Sequence, residues 1–291
     1  MSLKSLLEAG KFVVTAEVGP LKGTDTTEIE EVAELLRGRV DATNVTDQQS
    51  SVMRLGSLAT CHLLKQRGLD PVFQVTCRDR NRLALQSDLL SAHILGVENV
   101  LVITGDLPSL GDHPQAKPVY DLDSVQLLWA IEKLNEGCDM VGNELKGKTN
   151  FFSGAVVNPG ADTGAAFELQ LIKMEKKIAV GARFFQTQAI FTVDTFAKFM
   201  KRAEGFNIPI LVGIIPLKSA GMARFMNENI AGISVPEELI NKMATAENRV
   251  RTGIEIAANT IKELKGMCQG VHIMAMGWEK RIPAILDAAG L

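Results

Sequence analysis

Short apolar segments alternate along the chain with segments whose apolar residues repeat at helical spacing. Eight strands are predicted, over residues 12–18, 42–47, 71–76, 99–106, 152–158, 182–189, 209–216 and 270–276. Most are apolar on both faces, which is typical of a parallel sheet covered by helices. The repeated alternation predicts an α/β fold: one (β/α)8 TIM barrel over residues 1–291.

Boundary signals place several of the helices. Thr27 and Glu30 have the spacing of a capping box, and Thr192 precedes a helical pattern as an N-cap residue. The glycine-rich phosphate turn of a doubly wound open sheet is missing after the first predicted strand, which favours the closed barrel.

The longest connection lies between the seventh and eighth strands. It contains three helical patterns, over residues 221–228, 236–244 and 248–264. The helix after the fourth strand is predicted over residues 122–135, and its spacing predicts a buried face made of Val125, Leu128, Trp129 and Ile131.

Composition excludes several classes of protein. The net charge of −3 and the aromatic content of 5% give no reason to expect nucleic acid as a partner. The first residues contain no signal-peptide pattern, and no apolar run is long enough to span a membrane. The four cysteines, Cys61, Cys77, Cys138 and Cys268, are scattered and form no C-x-x-C pair. We therefore expect a cytoplasmic protein with neither a disulfide framework nor a metal site.

Polar residues mark the carboxyl ends of the predicted strands, where a barrel of this kind forms its active site. They are Glu17, Thr46, Gln74 or Thr76, Asp106, Asn158, Gln188 and His272. No Lys or Arg is among them, which disfavours a phosphate as the reacting group.

Two carboxylates in this set suggest the chemistry. Glu17 lies within an apolar strand, and burial favours the protonated form of a carboxyl, so Glu17 could act as a general acid. The alternative is a structural Glu paired with Arg. Asp106 ends the run NVLVITGD before a long loop, where it could serve function or only cap a turn. We expect His272 to be a core residue. The residues alone predict a barrel enzyme with one acid and one fixed anion.

Seven motifs, in order, resemble the flavin-dependent methylenetetrahydrofolate reductases over nearly the whole chain. They are T-A-E-V, N-V-T-D, Q-V-T-C, T-G-D-L-P, N-P, G-A-R-F-F-Q-T-Q and G-I-I-P. The resemblance implies a barrel that holds a flavin across the carboxyl ends of its strands. It also implies reduction of 5,10-methylenetetrahydrofolate to 5-methyltetrahydrofolate, a reaction of one-carbon metabolism.

The resemblance assigns roles to individual residues. Glu17 would protonate N10 of the folate and open its ring to a 5-iminium cation, which Asp106 would stabilise. Reduced flavin would then deliver a hydride from N5. Gln188 would bind the pterin, and Thr46 would lie near flavin and nicotinamide.

The same resemblance implies a set of cofactor-binding residues for FAD or FMN. They are Asp47, Gln49, Gln74, Thr104, Gly105, Asp106, Tyr120, Asn158, Asp162, Gln170, Lys173, Lys176 and Lys177. The lysines could meet the phosphate groups of the cofactor, or they could form a solvated helix face.

Three features depart from the common family pattern. Asn158 stands where an aromatic residue is usual, Ala220 replaces a substrate-stacking Phe, and the eighth strand ends in M-A-M-G-W-E. That ending is similar to the short reductases of acetogenic bacteria, which work with a second, zinc-containing subunit. It implies an oligomer whose electron donor is NAD(P)H or a redox partner protein. Two other functions stay open: an accessory subunit that binds folate or flavin, and a flavin-free pterin-binding methyltransferase barrel.

Overall fold

The strands form a closed barrel in the computed structural model, which describes residues 1–161 and 163–291. Within these residues eight parallel strands pair in chain order, and β1 closes the ring against β8. The strands are β1 (Val13–Val18), β2 (Ala42–Val45), β3 (Pro71–Thr76), β4 (Asn99–Ile103), β5 (Phe152–Val157), β6 (Phe184–Ala189), β7 (Ile210–Ile214) and β8 (Gly270–Ile273). The predicted TIM barrel is confirmed.

Helices surround the barrel. They are α1 (Leu3–Glu8), α2 (Thr27–Leu36), α3 (Ser57–Gln66), α4 (Arg82–Ile94), α5 (Ser124–Glu136), α6 (Gly164–Ala179), α7 (Val193–Ala203), α8 (Ala220–Asn229), α9 (Glu237–Ala244), α10 (Arg249–Leu264) and α11 (Ile282–Ala289). The main apolar core lies between the outer faces of the strands and these helices. None of the helices in the described ranges is long and apolar enough to cross a membrane.

The predicted extra helices between β7 and β8 are confirmed as α8, α9 and α10. Helices α8 and α9 share a smaller apolar core with Leu217, Ile233 and Val235 of the connecting segments. This cluster lies beside the carboxyl ends of β6 and β7 and shapes that side of the barrel mouth.

Helix α1 was not predicted, and it covers the amino-terminal end of the barrel. Its Leu3, Leu6 and Leu7 side chains are buried against apolar residues inside the barrel, including Val13 and Leu211. The Leu3 amide donates to Asp70 Oδ2 at 2.9 Å, which fixes the start of the helix. Burial at this end leaves the carboxyl end of the barrel for chemistry.

The capping box predicted at Thr27 and Glu30 is wrong. Thr26 is the N-cap residue of α2, and its hydroxyl donates to Glu30 Oε1 at 2.9 Å. The Thr27 amide donates instead to Asp25 Oδ1 at 3.0 Å. An Asx turn before the helix thus replaces the capping box. At Thr192 the predicted cap is confirmed, because its hydroxyl accepts from the Thr195 amide.

The buried face predicted for α5 is partly wrong. Trp129 is 37% exposed, and Val125 is half-buried and faces a cavity. Leu128 and Ile131 are buried as predicted, together with Leu127, Ala130 and Leu134. The buried face of α5 is therefore rotated about the helix axis relative to the predicted face, away from Val125 and Trp129.

Candidate functional site

A cavity of about 730 Å³ opens at the carboxyl ends of the strands. Its size is in the range of small-molecule and cofactor sites. The residues singled out at the strand ends all line it: Glu17, Thr46, Gln74, Thr76, Asp106, Asn158, Gln188 and His272. The parallel barrel explains this convergence, because every strand delivers its last residues to the same rim.

Strand β6 contributes three consecutive residues to the cavity, Gln186, Thr187 and Gln188. Alternation along a regular strand would turn the middle one away. The register between β6 and β7 shifts between Gln186 and Ala189, and this irregularity turns Thr187 toward the cavity. The Thr187 hydroxyl then accepts from the Gly213 amide at 2.9 Å and donates to the Gln188 carbonyl at 2.7 Å.

The Glu17 side chain is buried near the floor of the cavity, beside His272. Glu17 Oε1 lies 3.7 Å from His272 Nε2, and His272 Nδ1 lies 2.9 Å from the Thr15 hydroxyl. The hydroxyl fixes the orientation of the imidazole ring, so one ring nitrogen always faces the carboxyl. The core position predicted for His272 is confirmed, and the side chain also lines the cavity.

Below this group, a pair of amides spans the barrel interior. Asn44 Nδ2 donates to Gln186 Oε1 at 2.8 Å, and Gln186 Nε2 donates back to Asn44 Oδ1 at 3.1 Å. Gln186 Nε2 also lies 3.4 Å from the Thr15 hydroxyl. Because these side chains are fully buried and bonded to one another, the floor beneath Glu17 and His272 is rigid.

Asp106 lies on the exposed rim of the same cavity, in the loop after β4. The preceding Gly105 has φ +89°, a conformation that a side chain would strain. Glu17 and Asp106 thus line the same cavity, Glu17 near its floor and Asp106 on its rim. This arrangement can protonate one end of a bound molecule and stabilise positive charge at the other.

Three groups bind the Asp47 carboxylate on the side away from the cavity. Its Oδ2 atom accepts from the amide and the hydroxyl of Thr76, at 2.8 Å and 2.9 Å, and forms an ion pair with Arg80. Arg80 also bonds to Asp88 at 2.9 Å. Asp47 and Thr76 both line the cavity, so the network fixes that wall.

The outer part of the cavity is lined by one face of α6, with Gln170, Lys173, Lys176 and Lys177. Lys177 is only 7% exposed, and its Nζ donates to the Val156 carbonyl at 2.8 Å. Burial lowers the pKa of Lys177 to about 8, and repulsion from Lys173 adds to the effect. A buried ammonium with one acceptor has protons left for an anion.

The other residues expected to bind a cofactor are distributed around the mouth. Gln49, Thr104, Gly105 and Asn158 line the cavity with those already described. The Tyr120 hydroxyl lies outside that lining and donates to the Gly105 carbonyl at 3.1 Å. Asp162 falls outside the described residues.

Arg78 is a cavity-lining residue that the sequence reading missed. None of the strand-end residues is Lys or Arg, but Arg78 follows β3 by two residues, is 2% exposed and places a cation beside them. Thr76 is the last polar residue of the predicted third strand, and Arg78 lies beyond it in the loop. Two arginines in the sequence C-R-D-R directly after a strand were the available signal.

The chain is similar to one known protein family over nearly its whole length. The profile of one family, described as methylenetetrahydrofolate reductase, matches residues 2–290. A protein of Caenorhabditis elegans named probable methylenetetrahydrofolate reductase (NADPH) is 24% identical over 261 residues, which are 86% of this chain and 36% of that one. The 5,10-methylenetetrahydrofolate reductase of Pectobacterium carotovorum is 25% identical over 209 residues, 69% of this chain and 63% of that one. The chain spans only 36–38% of the length of the first relatives.

A solved structure supports the fold independently. It is described as an uncharacterized protein from Clostridium thermocellum that binds two copies of 5-methyl-5,6,7,8-tetrahydrofolic acid. The match covers 100% of this chain and 98% of that one, with a TM-score of 0.67 and 16% sequence identity. At this identity the similarity establishes the shared barrel.

Proposed function

The chain belongs to the methylenetetrahydrofolate reductase family, and we propose that it reduces 5,10-methylenetetrahydrofolate to 5-methyltetrahydrofolate with a bound flavin. The observation that carries the proposal is the placement of Glu17 and Asp106 around one cavity, one buried and one on the rim. The reaction needs an acid at one nitrogen and negative charge near a cation, and these two groups supply both.

The residues around the cavity fit a flavin, either FAD or FMN. The buried Thr46 hydroxyl has no hydrogen-bond partner among the described residues, although it lines the cavity. An unpaired buried hydroxyl is costly, so a ligand atom is expected there. Gln49, Gln74 and Thr104 add polar groups that suit the edge of an isoalloxazine ring. Reduced flavin, when bound, supplies the hydride.

The lysines of α6 would hold the phosphate end of the cofactor. Lys173, Lys176 and Lys177 line the outer part of the cavity together. Keeping a lysine as buried as Lys177 costs stability, and a phosphate bound beside it would offset that cost. Asp47, Gly105, Asn158 and Gln170 line the same path and complete the proposed cofactor site.

Glu17 is the proposed general acid, which donates its proton to N10 of the folate. His272 Nε2, at 3.7 Å, is placed to return a proton to the carboxylate through a small shift or one water. Thr15 orients the imidazole for this transfer through its contact with Nδ1. Opening of the folate ring produces a 5-iminium cation, and the carboxylate of Asp106 stabilises it.

Gln188 would hydrogen-bond the pterin, and Thr46 would lie near the flavin and the nicotinamide. The Gln188 Oε1 atom accepts from the Ala189 amide at 2.9 Å, so its amide nitrogen is oriented and can donate to a ligand. The folate-binding neighbour from Clostridium thermocellum supports the substrate class, because its barrel has the same fold.

The electron donor and the partners also belong to the proposal. NAD(P)H or a redox partner protein would reduce the flavin in the cytoplasm. The segment M-A-M-G-W-E, which follows β8, suggests an oligomer with a second, zinc-containing subunit. Met276 in this segment is 41% exposed at the mouth, where Gln49 Nε2 contacts its sulfur at 3.8 Å.

The decisive experiment follows the absorption of the purified protein. A reductase shows a flavin spectrum, bleaches under anaerobic conditions with NADH or a reduced carrier, and regains its colour when methylenetetrahydrofolate is added. The test is complete when the amount of 5-methyltetrahydrofolate recovered equals the amount of flavin reoxidised. A flavin that is reduced but never reoxidised by the folate would indicate an accessory subunit. A colourless protein that binds methyltetrahydrofolate would indicate a flavin-free pterin-binding barrel.

A further inference from the structure

A single buried guanidinium joins three of the loops that form the cavity mouth. The Arg78 side chain is 3% exposed, and its Nη1 donates to the Ser51 hydroxyl at 2.9 Å. Its Nη2 donates to the Gln48 carbonyl at 3.3 Å, and Asp79 binds the guanidinium through both carboxylate oxygens, at 2.7 Å and 2.8 Å. Nη1 also lies 3.3 Å from the Asp106 carbonyl oxygen, so Arg78 connects the loops after β2, β3 and β4.

The main chain at Asp106 is the end point of this network. The Ser51 hydroxyl donates to the carbonyls of Asp106 and Leu107, at 2.9 Å and 3.0 Å. Arg78 Nη1 lies 3.3 Å from the Asp106 carbonyl, and so does the Tyr120 hydroxyl. Every donor described here that reaches Asp106 or Leu107 binds a main-chain oxygen. The Asp106 carboxylate therefore stays directed to the cavity that it lines.

The loop that carries Ser51 has a strained backbone that depends on these contacts. Gln48, Ser50 and Ser51 have φ values of 50°, 55° and 57°, which non-glycine residues seldom adopt. Gly111 packs against the same loop, and a Cβ at that position would lie 1.9 Å from the Ser51 carbonyl oxygen. Such a conformation persists only where neighbouring groups enforce it.

We propose that Arg78 is a positioning residue, which acts through Ser51 to fix Asp106 against the substrate cation. This inference rests on the proposed function of Asp106. Electrostatic stabilisation depends on the charge being placed before the reaction, so a loop that drifts by an ångström loses rate without losing its carboxylate.

Arg78→Gln removes the charge and most of the donors. We expect the rate constant for folate reduction by the reduced enzyme to fall about 10- to 100-fold, with less than about a threefold change in the folate KM. Ser51→Ala removes only the connecting hydroxyl and should lower the rate about 3- to 10-fold. Arg78→Lys should recover little, because an ammonium cannot reproduce the planar fork that reaches Ser51, Gln48 and Asp79 together. Rates equal to wild type in Ser51→Ala and Arg78→Gln would overturn the proposal.

A double-mutant cycle separates positioning from a general structural role. If Arg78 acts through Asp106, Arg78→Gln added to Asp106→Asn lowers the rate no further than Asp106→Asn alone. Effects that multiply would show that Arg78 acts independently of Asp106. Arg202→Gln is the matched control, because Arg202 forms a bidentate pair with Glu168 on the surface, at 2.6 Å and 2.9 Å.

Hydrogen exchange tests the coupling without any reaction. Amides in residues 47–54 and 104–111 should exchange about tenfold faster in Arg78→Gln than in wild type or Arg202→Gln. Unchanged exchange in residues 104–111 would overturn the coupling. If the wild type fails to reduce the folate, the proposed function falls, while this measurement still decides whether Arg78 holds the Asp106 loop.

Discussion

His272 Nε2 lies 3.7 Å from Glu17 Oε1, in the buried interior of the barrel and next to the cavity. The two residues come from the last and the first strand, and the closure of β1 on β8 brings them together. An imidazole this close can supply a proton to the carboxyl after a small shift or through one water, and it can balance the charge of the carboxylate after the proton has left. Glu17 is therefore the group whose loss should separate the two half-reactions.

Glu17→Gln should leave the reduction of the flavin unchanged and slow the reduction of the folate about 10²- to 10⁴-fold. The amide keeps the size of the side chain but has no acidic proton. Stopped-flow absorbance would measure each half-reaction separately. Binding of methyltetrahydrofolate serves as the control and should change little. Folate reduction at the wild-type rate would remove Glu17 from the role of acid.

Loss of the Asp106 carboxylate should have two measurable effects. Asp106→Asn should slow folate reduction, because the amide no longer stabilises the cation. It should also shift the midpoint potential of the flavin to a more positive value, because a negative charge near the ring disfavours the added electrons. Spectroelectrochemical titration measures the potential. If neither the rate nor the potential changes, Asp106 does not contact the reacting groups.

Much of the barrel could be predicted because its strands are local apolar runs bounded by polar residues. The pairing of Glu17 with His272 could not, since it depends on ring closure between residues far apart in the chain. Thr15 and His272, which are in contact, are separated by 257 positions. Arg78 could not be singled out because its burial comes from three loops folding around it: the C-R-D-R segment shows two arginines after β3 but not which of them is buried at the mouth.

Two predictions from local sequence patterns were wrong: the capping box at Thr27 and the buried position of Trp129. Asp25 captures the Thr27 amide, so the helix starts from Thr26 as N-cap in place of the predicted capping box. Trp129 follows the apolar spacing of α5 but lies on its exposed side, where Lys133 Nζ stands 5.8 Å from the centre of the ring. Long amphipathic side chains can stay at the surface even when their spacing fits the core.

Lys177 predicts a pH dependence of cofactor binding. Burial lowers its pKa to about 8, so the fraction of charged Lys177 falls as the pH rises from 7 to 9. A phosphate binds the charged form, and the affinity for flavin should therefore decrease over this range. Lys177→Met should weaken flavin binding about tenfold at pH 7 and flatten the pH dependence. Fluorescence titration with FMN and FAD measures both.

The same residue predicts how stability without flavin varies with pH. The pKa of Lys177 is about 8 in the folded chain and near 10.5 when the chain is unfolded. The unfolded chain therefore holds a proton that the folded chain has released, and stability should rise with pH between these values. The environment of Lys177, chiefly its burial together with repulsion from Lys173, costs about 3 kcal/mol at pH 7, which Lys177→Met should recover in part. Lys198→Met, at a side chain 74% exposed, is the control. Equal pH profiles in all three proteins would contradict the assignment.

The barrel interior has no room for an added methyl group at Gly154. It lies on β5 beside Phe184 of β6, and a Cβ at this position would come within 2.2 Å of the Phe184 ring. Phe184 is fully buried and stacks on Phe152 with ring centres 5.2 Å apart, so moving its ring aside would disrupt the packing around it. Gly154→Ala should lower the free energy of unfolding by about 1–3 kcal/mol, measured by denaturant titration.

The matched control for Gly154→Ala is Gly164→Ala, in the first turn of α6. Apart from the chain neighbours of Gly164 and its own helix backbone, no atom of residues 1–161 and 163–291 lies within 4 Å of a Cβ built there, so the added methyl group meets open space among them. This change should be neutral or stabilise the protein by up to about 1 kcal/mol, because alanine is the better helix former and restricts the unfolded chain. If both variants unfold at the wild-type denaturant concentration, the Phe152–Phe184 layer is looser than its geometry indicates. If only Gly154→Ala is destabilised, contact with the Phe184 ring is the cause.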